Sequence, residues 1–102
     1  MDEGYIKYCC NWTKNDCIHP QQIIELNKWR HQLYDHGLIG MYADGIGYGN
    51  ISERGNENSF IISGSATGGI EKINASHYAR VTSFNLQENT LSCEGLTIAS
   101  SE

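Results

Sequence analysis

The sequence predicts an α/β fold in which one helix is layered on a mainly antiparallel sheet. Three observations carry this. One stretch near the start spaces its apolar residues by three and four. Four short strand-like runs follow it in two pairs, each pair closed by turn-forming residues. No helical stretch separates the members of a pair, so the crossovers that a parallel sheet needs are missing. With 102 residues the chain has room for one domain with a modest core.

Residues 1–18 mix Tyr5, Ile6, Tyr8 and Trp12 with polar neighbours at no clean period, which reads as an extended arm or a short irregular segment lying on something larger. A helix is expected over about residues 20–36. Pro20 suits its first position, Ile23, Leu26, Trp29 or Arg30, and Leu33 form its inward stripe, and Gly37 stops it. His36 then sits beside the negative helix end. Gly45, Gly47 and Gly49 alternate with Ile46 and Tyr48, a glycine-rich bend entering a strand over 50–54. The turn 55–58 joins that strand to the apolar run Ser59-Phe60-Ile61-Ile62-Ser63, and together they read as a hairpin. After a small-residue loop over 63–69, Ile70, Ile73 and Tyr78 suggest a short helix or turn. A second hairpin pairs 80–86 with 90–94 around Gln87-Glu88-Asn89, and 95–102 is small and polar. One helix covers one face of such a sheet, so the other is expected to be covered from outside the chain.

Twelve acidic residues against seven basic ones give a net charge of −5, with Lys and Arg scattered singly. No basic patch is available to displace counterions from a nucleic acid, so DNA and RNA are excluded as partners. No apolar run approaches the roughly 18 residues of a membrane span, and the acidic start is unlike a secretory signal, so a cytoplasmic protein with no membrane partner is expected. Cys9, Cys10, Cys17 and Cys93 are then read as free thiols. Their spacing contains no CxxC, and His19, His31, His36 and His77 add no second ligand pair, so no metal site is expected. Three Asn-x-Ser/Thr tripeptides, at Asn11, Asn50 and Asn74, would have meaning only in a secreted chain.

Gly45-Ile46-Gly47-Tyr48-Gly49 is no dinucleotide fingerprint, because the helix precedes the glycines instead of following them. Gly64 and Gly69 have P-loop spacing, yet Ile70 and Glu71 stand where Lys and Ser/Thr are required. What remains is a set of small-residue segments whose backbone N–H groups and neutral side chains suit an anion: Gly49-Asn50, residues 65–68, and Ser100-Ser101. Ordinary turns are the competing reading. Glu102 would stand beside such an anion, placed to take a proton from a substrate carbon if burial raised its pKa.

In order, Gly49-Asn50-Ile51-Ser52-x-Arg54, the strand Phe60-Ile61-Ile62-Ser63 running into a Ser/Thr/Gly loop, and Ala99-Ser100-Ser101-Glu102 resemble the class II aldolase/adducin family. The resemblance implies that family's α/β layered fold, here incomplete, with residues 19–102 as its N-terminal part, stopping at the Ser-Ser-Glu motif. It implies that Gly49, Asn50, Ser100 and Ser101 hold a substrate phosphate and that Glu102 is the catalytic acid/base. The loop between Ser63 and Glu71 is one residue longer than the family pattern, so either Ser65 or Thr67-Gly68 is the phosphate-binding counterpart. The family's zinc is held by three histidines downstream of Ser-Ser-Glu. The four histidines here match none of them, so the zinc ligands are not in this chain.

The resemblance therefore implies zinc-dependent aldol cleavage, epimerisation or dehydration of a small phosphorylated sugar by the parent enzyme. This chain would supply the phosphate loops and be inactive alone. The implied partners are a homo-oligomer or a complementary C-terminal half. The alternative is a non-catalytic, adducin-like protein-interaction module.

Overall fold

The helix forms where the apolar stripe places it. In the computed structural model, which describes residues 8–100, Pro20–Ile23 makes one 3-10 turn and α1 (Ile24–Asp35) continues from it. Gln22 helps start the turn, its Oε1 accepting from the His19 N–H at 2.8 Å. Ile23, Leu26 and Arg30 are buried while Trp29 is 55% exposed, so the inward stripe continues through Arg30. Gly37 ends the helix at φ 76°, a conformation that glycine adopts without steric cost. Its N–H reaches Tyr34 O at 3.0 Å, and the Leu38 N–H reaches Leu33 O at 2.9 Å. His36 Nδ1 donates to Gln32 O at 2.8 Å, so the imidazole lies at the negative end as its position implied.

The strands are β1 (Cys9–Lys14), β2 (Gly40–Met41), β3 (Gly47–Tyr48), β4 (Ser52–Arg54), β5 (Phe60–Ser63), β6 (Tyr78–Asn85) and β7 (Thr90–Gly95). Five of them form one sheet in the order β1-β7-β6-β5-β4. The β4–β5, β5–β6 and β6–β7 pairs are antiparallel, and both predicted hairpins are present. The described residues thus form a mixed α/β domain with one α-helix and a mainly antiparallel sheet.

Two segments differ from their sequence reading. Cys9–Lys14, in the expected arm, is extended and lies on this chain's own β7, in parallel. Gly47–Tyr48 does not run on into β4; it pairs with Gly40–Met41 as a separate two-stranded ribbon, closed by a turn in which Tyr42 N–H donates to Ile46 O at 2.8 Å. The short helix or turn expected before β6 is a 3-10 turn, Ala75–His77, with Asn74 Oδ1 accepting from the Ser76 N–H.

Alternation along the strands divides the core in two. Towards α1 lie Ile18, Ile23, Leu26, Ile73 and Tyr78, with Ile51 and Ile61 packed against them. On the other face Ile62, Ala79, Val81, Cys93 and Ala99 form a second cluster with Cys10, Phe60, Leu91 and Ile98. A bulge in β6 builds this second face. Register shifts between Val81, opposite Cys93, and Ser83, opposite Ser92. Without the extra residue Thr82, Phe84 would point to the helix side; with it, Phe84 stays on the Val81 face, its ring 6.4 Å from that of Phe60. The centre of the face expected to need an outside cover is therefore buried, at Ala79, Val81 and Cys93.

Candidate functional site

Three of the small-residue segments meet at one end of the sheet, where β4 begins and β5 ends. Ser63, the last residue of β5, joins them. Its N–H donates to Ile51 O at 3.0 Å, and its Oγ accepts from the Ile51 N–H at 3.1 Å. Its carbonyl accepts from the Ser100 N–H at 3.2 Å. One residue on, Gly64 bridges Ala99 in antiparallel fashion, and the Ser65 N–H donates to Ile98 O at 2.9 Å. Asn50, Ser65 and Ser100 thereby stand on three adjacent strands of backbone although they are far apart in sequence.

The loop after β5 is held from beneath by Arg30. Its Nη1 donates to Glu71 O and its Nη2 to Thr67 O, both at 2.9 Å. The guanidinium is 0% exposed, lies 5.0 Å from the Tyr34 ring centre, and its Nε–H finds no acceptor among the described residues. Burial lowers its pKa, the ordinary response of a cation withdrawn from water. A buried cation whose two terminal nitrogens donate to loop carbonyls is an anchor for that loop.

The predicted site residues have distinct positions. Gly49 is at φ 80°, and a Cβ there would lie 2.4 Å from Leu38 O, so packing alone requires glycine. Gly68 is buried, and a Cβ would meet Gly40 O at 2.5 Å, so it too is a point of close backbone approach. Thr67 is buried, with Oγ1 donating to Gly64 O at 2.8 Å, and it shapes the loop from inside. Ser65 is exposed, while Asn50 and Ser100 are half-buried. Ala66, between Ser65 and Thr67, has φ 63°, a left-handed conformation that costs a non-glycine residue about 1 kcal/mol. Ser101 and Glu102 lie outside the described residues.

The backbone donors at this end are already used in part. The N–H groups of Ser63, Gly64, Ser65 and Ser100 go to Ile51, His77, Ile98 and Ser63 carbonyls respectively. Arg54, the final residue of the Gly-Asn-Ile-Ser-x-Arg string, points elsewhere in the fold. It ends β4 at the opposite end of the sheet and lines a cleft of about 240 Å3 with Ser52, Asn58, Ser59, Phe60 and Phe84.

Two residues that position the site escaped sequence reading as such. Ser63 was visible as the polar end of an apolar run and the start of a small-residue loop, and Arg30 as one of two choices for a helix stripe. Among the described residues no group of three or more His, Cys, Asp or Glu side chains could hold a metal ion. His77 Nδ1 accepts from the Asn74 N–H at 3.0 Å and His31 Nε2 lies 3.4 Å from the Ile73 N–H, so these imidazoles serve the turn before β6. The described residues do not fit the zinc that the resemblance implies. No helix among them is long and apolar enough to cross a membrane. No protein-family profile, characterised protein or solved structure matches the chain.

Proposed function

We propose that the Ser63 end of the sheet binds the phosphate of a small sugar phosphate, in a layered fold of class II aldolase type. The observation that supports this is that Ser63 bonds Ile51, the neighbour of Gly49-Asn50, and Ser100, while Ser65 bonds Ile98 beside them, so that the segments the resemblance names as phosphate ligands meet at one end of the sheet. In this reading Asn50, Ser65 and Ser100 supply neutral donors, whereas Gly49, Thr67 and Gly68 give the backbone its shape. Ser65 is the better counterpart of the family's loop ligand, because it is exposed while the Thr67 hydroxyl donates inward. Ser101 and Glu102 follow Ser100 directly in sequence, and the reading assigns them a further phosphate contact and the acid/base role. The parent chemistry would be aldol cleavage, epimerisation or dehydration. The described residues offer no seat for zinc.

Titration of the full chain with inorganic phosphate and with a small sugar phosphate, followed by amide chemical shifts, tests this. Saturable shifts confined to residues 49–51, 65–68 and 98–102 are expected, together with a rise in melting temperature. Asn50→Ala and Ser65→Ala should each weaken binding by about tenfold, the loss of one good hydrogen bond to a charged ligand. Shifts scattered over the seven basic side chains, with no saturation, would overturn the proposal.

A second reading, a protein-contact module resembling the adducin branch, is favoured by large apolar side chains on the outside. Ile24 and Trp29 on α1, and Leu38, Met41, Tyr42 and Ile46 around the β2–β3 ribbon, are all exposed. Self-association of the chain with no response to phosphate would decide for it.

A further inference from the structure

β1 and β7 are neighbours in parallel register, Cys10 beside Leu91 and Trp12 beside Cys93. That register puts the Cys10 and Cys93 side chains on the same face, in the cluster of Ile62, Val81 and Ala99. Their sulfurs are 3.1 Å apart. A disulfide needs about 2 Å, so closure requires an approach of about 1 Å between two side chains already turned towards each other. Cys9 is exposed, and Cys17 packs against the cluster on the α1 side of the sheet.

We propose that Cys10 and Cys93 are a reversible disulfide site, closed by exchange with a low-molecular-weight disulfide such as oxidised glutathione. Cys10 is half-buried and Cys93 is 2% exposed, so Cys10 reacts first. It gives up its proton to solvent, and its sulfur attacks one sulfur of the small disulfide. That bond breaks, one small thiolate leaves and is protonated, and Cys10 carries a mixed disulfide. The Cys93 sulfur, after losing its own proton, attacks Cys10 Sγ and releases the second small thiol. Two protein thiols and one small disulfide become one protein disulfide and two small thiols, with two electrons and two protons passed to the oxidant.

The site differs from a fast redox sensor. Burial, and then the neighbouring Cys93 sulfur, push the Cys10 thiol up to about 12, so little thiolate is present at neutral pH and exchange is slow. What the geometry favours is the closed form at equilibrium, since the bond would join residues 83 apart in sequence and restrict the unfolded chain. It would also fasten β1, a sheet edge, to a central strand.

The full chain is equilibrated in glutathione buffers of stepped redox ratio, quenched in acid, alkylated, and mapped by mass spectrometry without reduction. The expected product is a single peptide pair joining Cys10 to Cys93, reversed by dithiothreitol. The oxidised form should melt roughly 10 °C higher. A Cys9→Ser/Cys17→Ser chain should behave like the parent, and Cys93→Ser should stop at glutathione on Cys10. Cross-links through Cys9 or Cys17, or both thiols still alkylated at the oxidising limit, would overturn the proposal. Mapping of the unsubstituted chain decides the matter even if Cys93→Ser fails to fold.

Discussion

The two ends of the five-stranded sheet are built by different rules. At the turn end, residues 55–59 and 86–89 close hairpins mainly with bonds to their own neighbours, Gly55 N–H to Ser59 O at 2.8 Å and Glu88 N–H to Asn85 Oδ1 at 3.0 Å, although Asn89 O also accepts from the distant Cys9 N–H at 3.0 Å. Glu57 and Asn89 take left-handed conformations there at φ 55°, and Leu86 is 84% exposed. At the loop end the bonds are long-range. Ser63 holds Ile51 and Ser100, Ser65 holds Ile98, and a buried arginine from the helix secures the loop between β5 and the turn that precedes β6. Function is expected where distant segments must be brought together, because only there does the fold create a juxtaposition that local sequence cannot.

The sharpest way to break this contrast is Arg30→Met. The variant leaves Thr67 O and Glu71 O without their donors in a buried place, and it should cost about 3 kcal/mol of stability. Denaturant unfolding of both chains checks it. A loss below about 0.5 kcal/mol, the range of an ordinary surface change, would mean that the loop stands without its anchor. Arg30→Lys should recover only part of the loss, since one ammonium does not reproduce the two-pronged guanidinium.

A matched pair of glycine variants tests the ends directly. Gly68→Ala puts a methyl 2.5 Å from Gly40 O, a backbone atom that cannot step aside, and overpacking of that kind costs about 1–3 kcal/mol. Gly55→Ala meets the Ser59 Oγ at 2.9 Å, a side-chain atom that can rotate away, and should stay within about 0.5 kcal/mol. Equal melting temperatures for the two variants would remove the distinction between the ends.

What sequence could disclose follows the same division. The helix was legible because Pro20, a three-four stripe and Gly37 mark its start, face and stop within one segment. The strands from 52 to 63 and from 78 to 95 were legible as short strand-like runs, one of them apolar, around turn residues. β1 was not, since a parallel edge strand with mostly exposed side chains leaves no alternation to read. Nor was the β2–β3 ribbon, whose two-residue strands are too short to show any period. At the candidate site, composition and the family resemblance named the segments, but the residue that ties them, Ser63, does so through backbone groups that every sequence carries. Arg30 was ambiguous because a helical stripe does not distinguish an apolar residue from a cation whose donors are met by a loop folded 37 residues later.

A smaller effect than the loss of Arg30 lies in the core between helix and sheet, at the loop end. Tyr78 is wholly buried, and its hydroxyl donates to Asn27 Oδ1 at 2.9 Å. Tyr78→Phe removes that bond while keeping the ring, and at neutral pH it should cost about 1 kcal/mol. The same variant has a second readout in alkali. Burial raises the Tyr78 pKa above the ordinary phenol value, since a phenolate there would be withdrawn from water. A group whose pKa is raised on folding contributes its stability in full below the unfolded pKa and loses it as pH rises further. The parent chain should therefore lose stability above about pH 10, the phenol value of an unfolded chain. Tyr78→Phe should lose less over that range, leaving Tyr8 and Cys10, both pushed up to about 12, to account for the remaining decline. Parallel alkaline limbs for the two chains would show that the Tyr78 hydroxyl is not shut away from solvent and that the helix side is less tightly closed than its packing indicates.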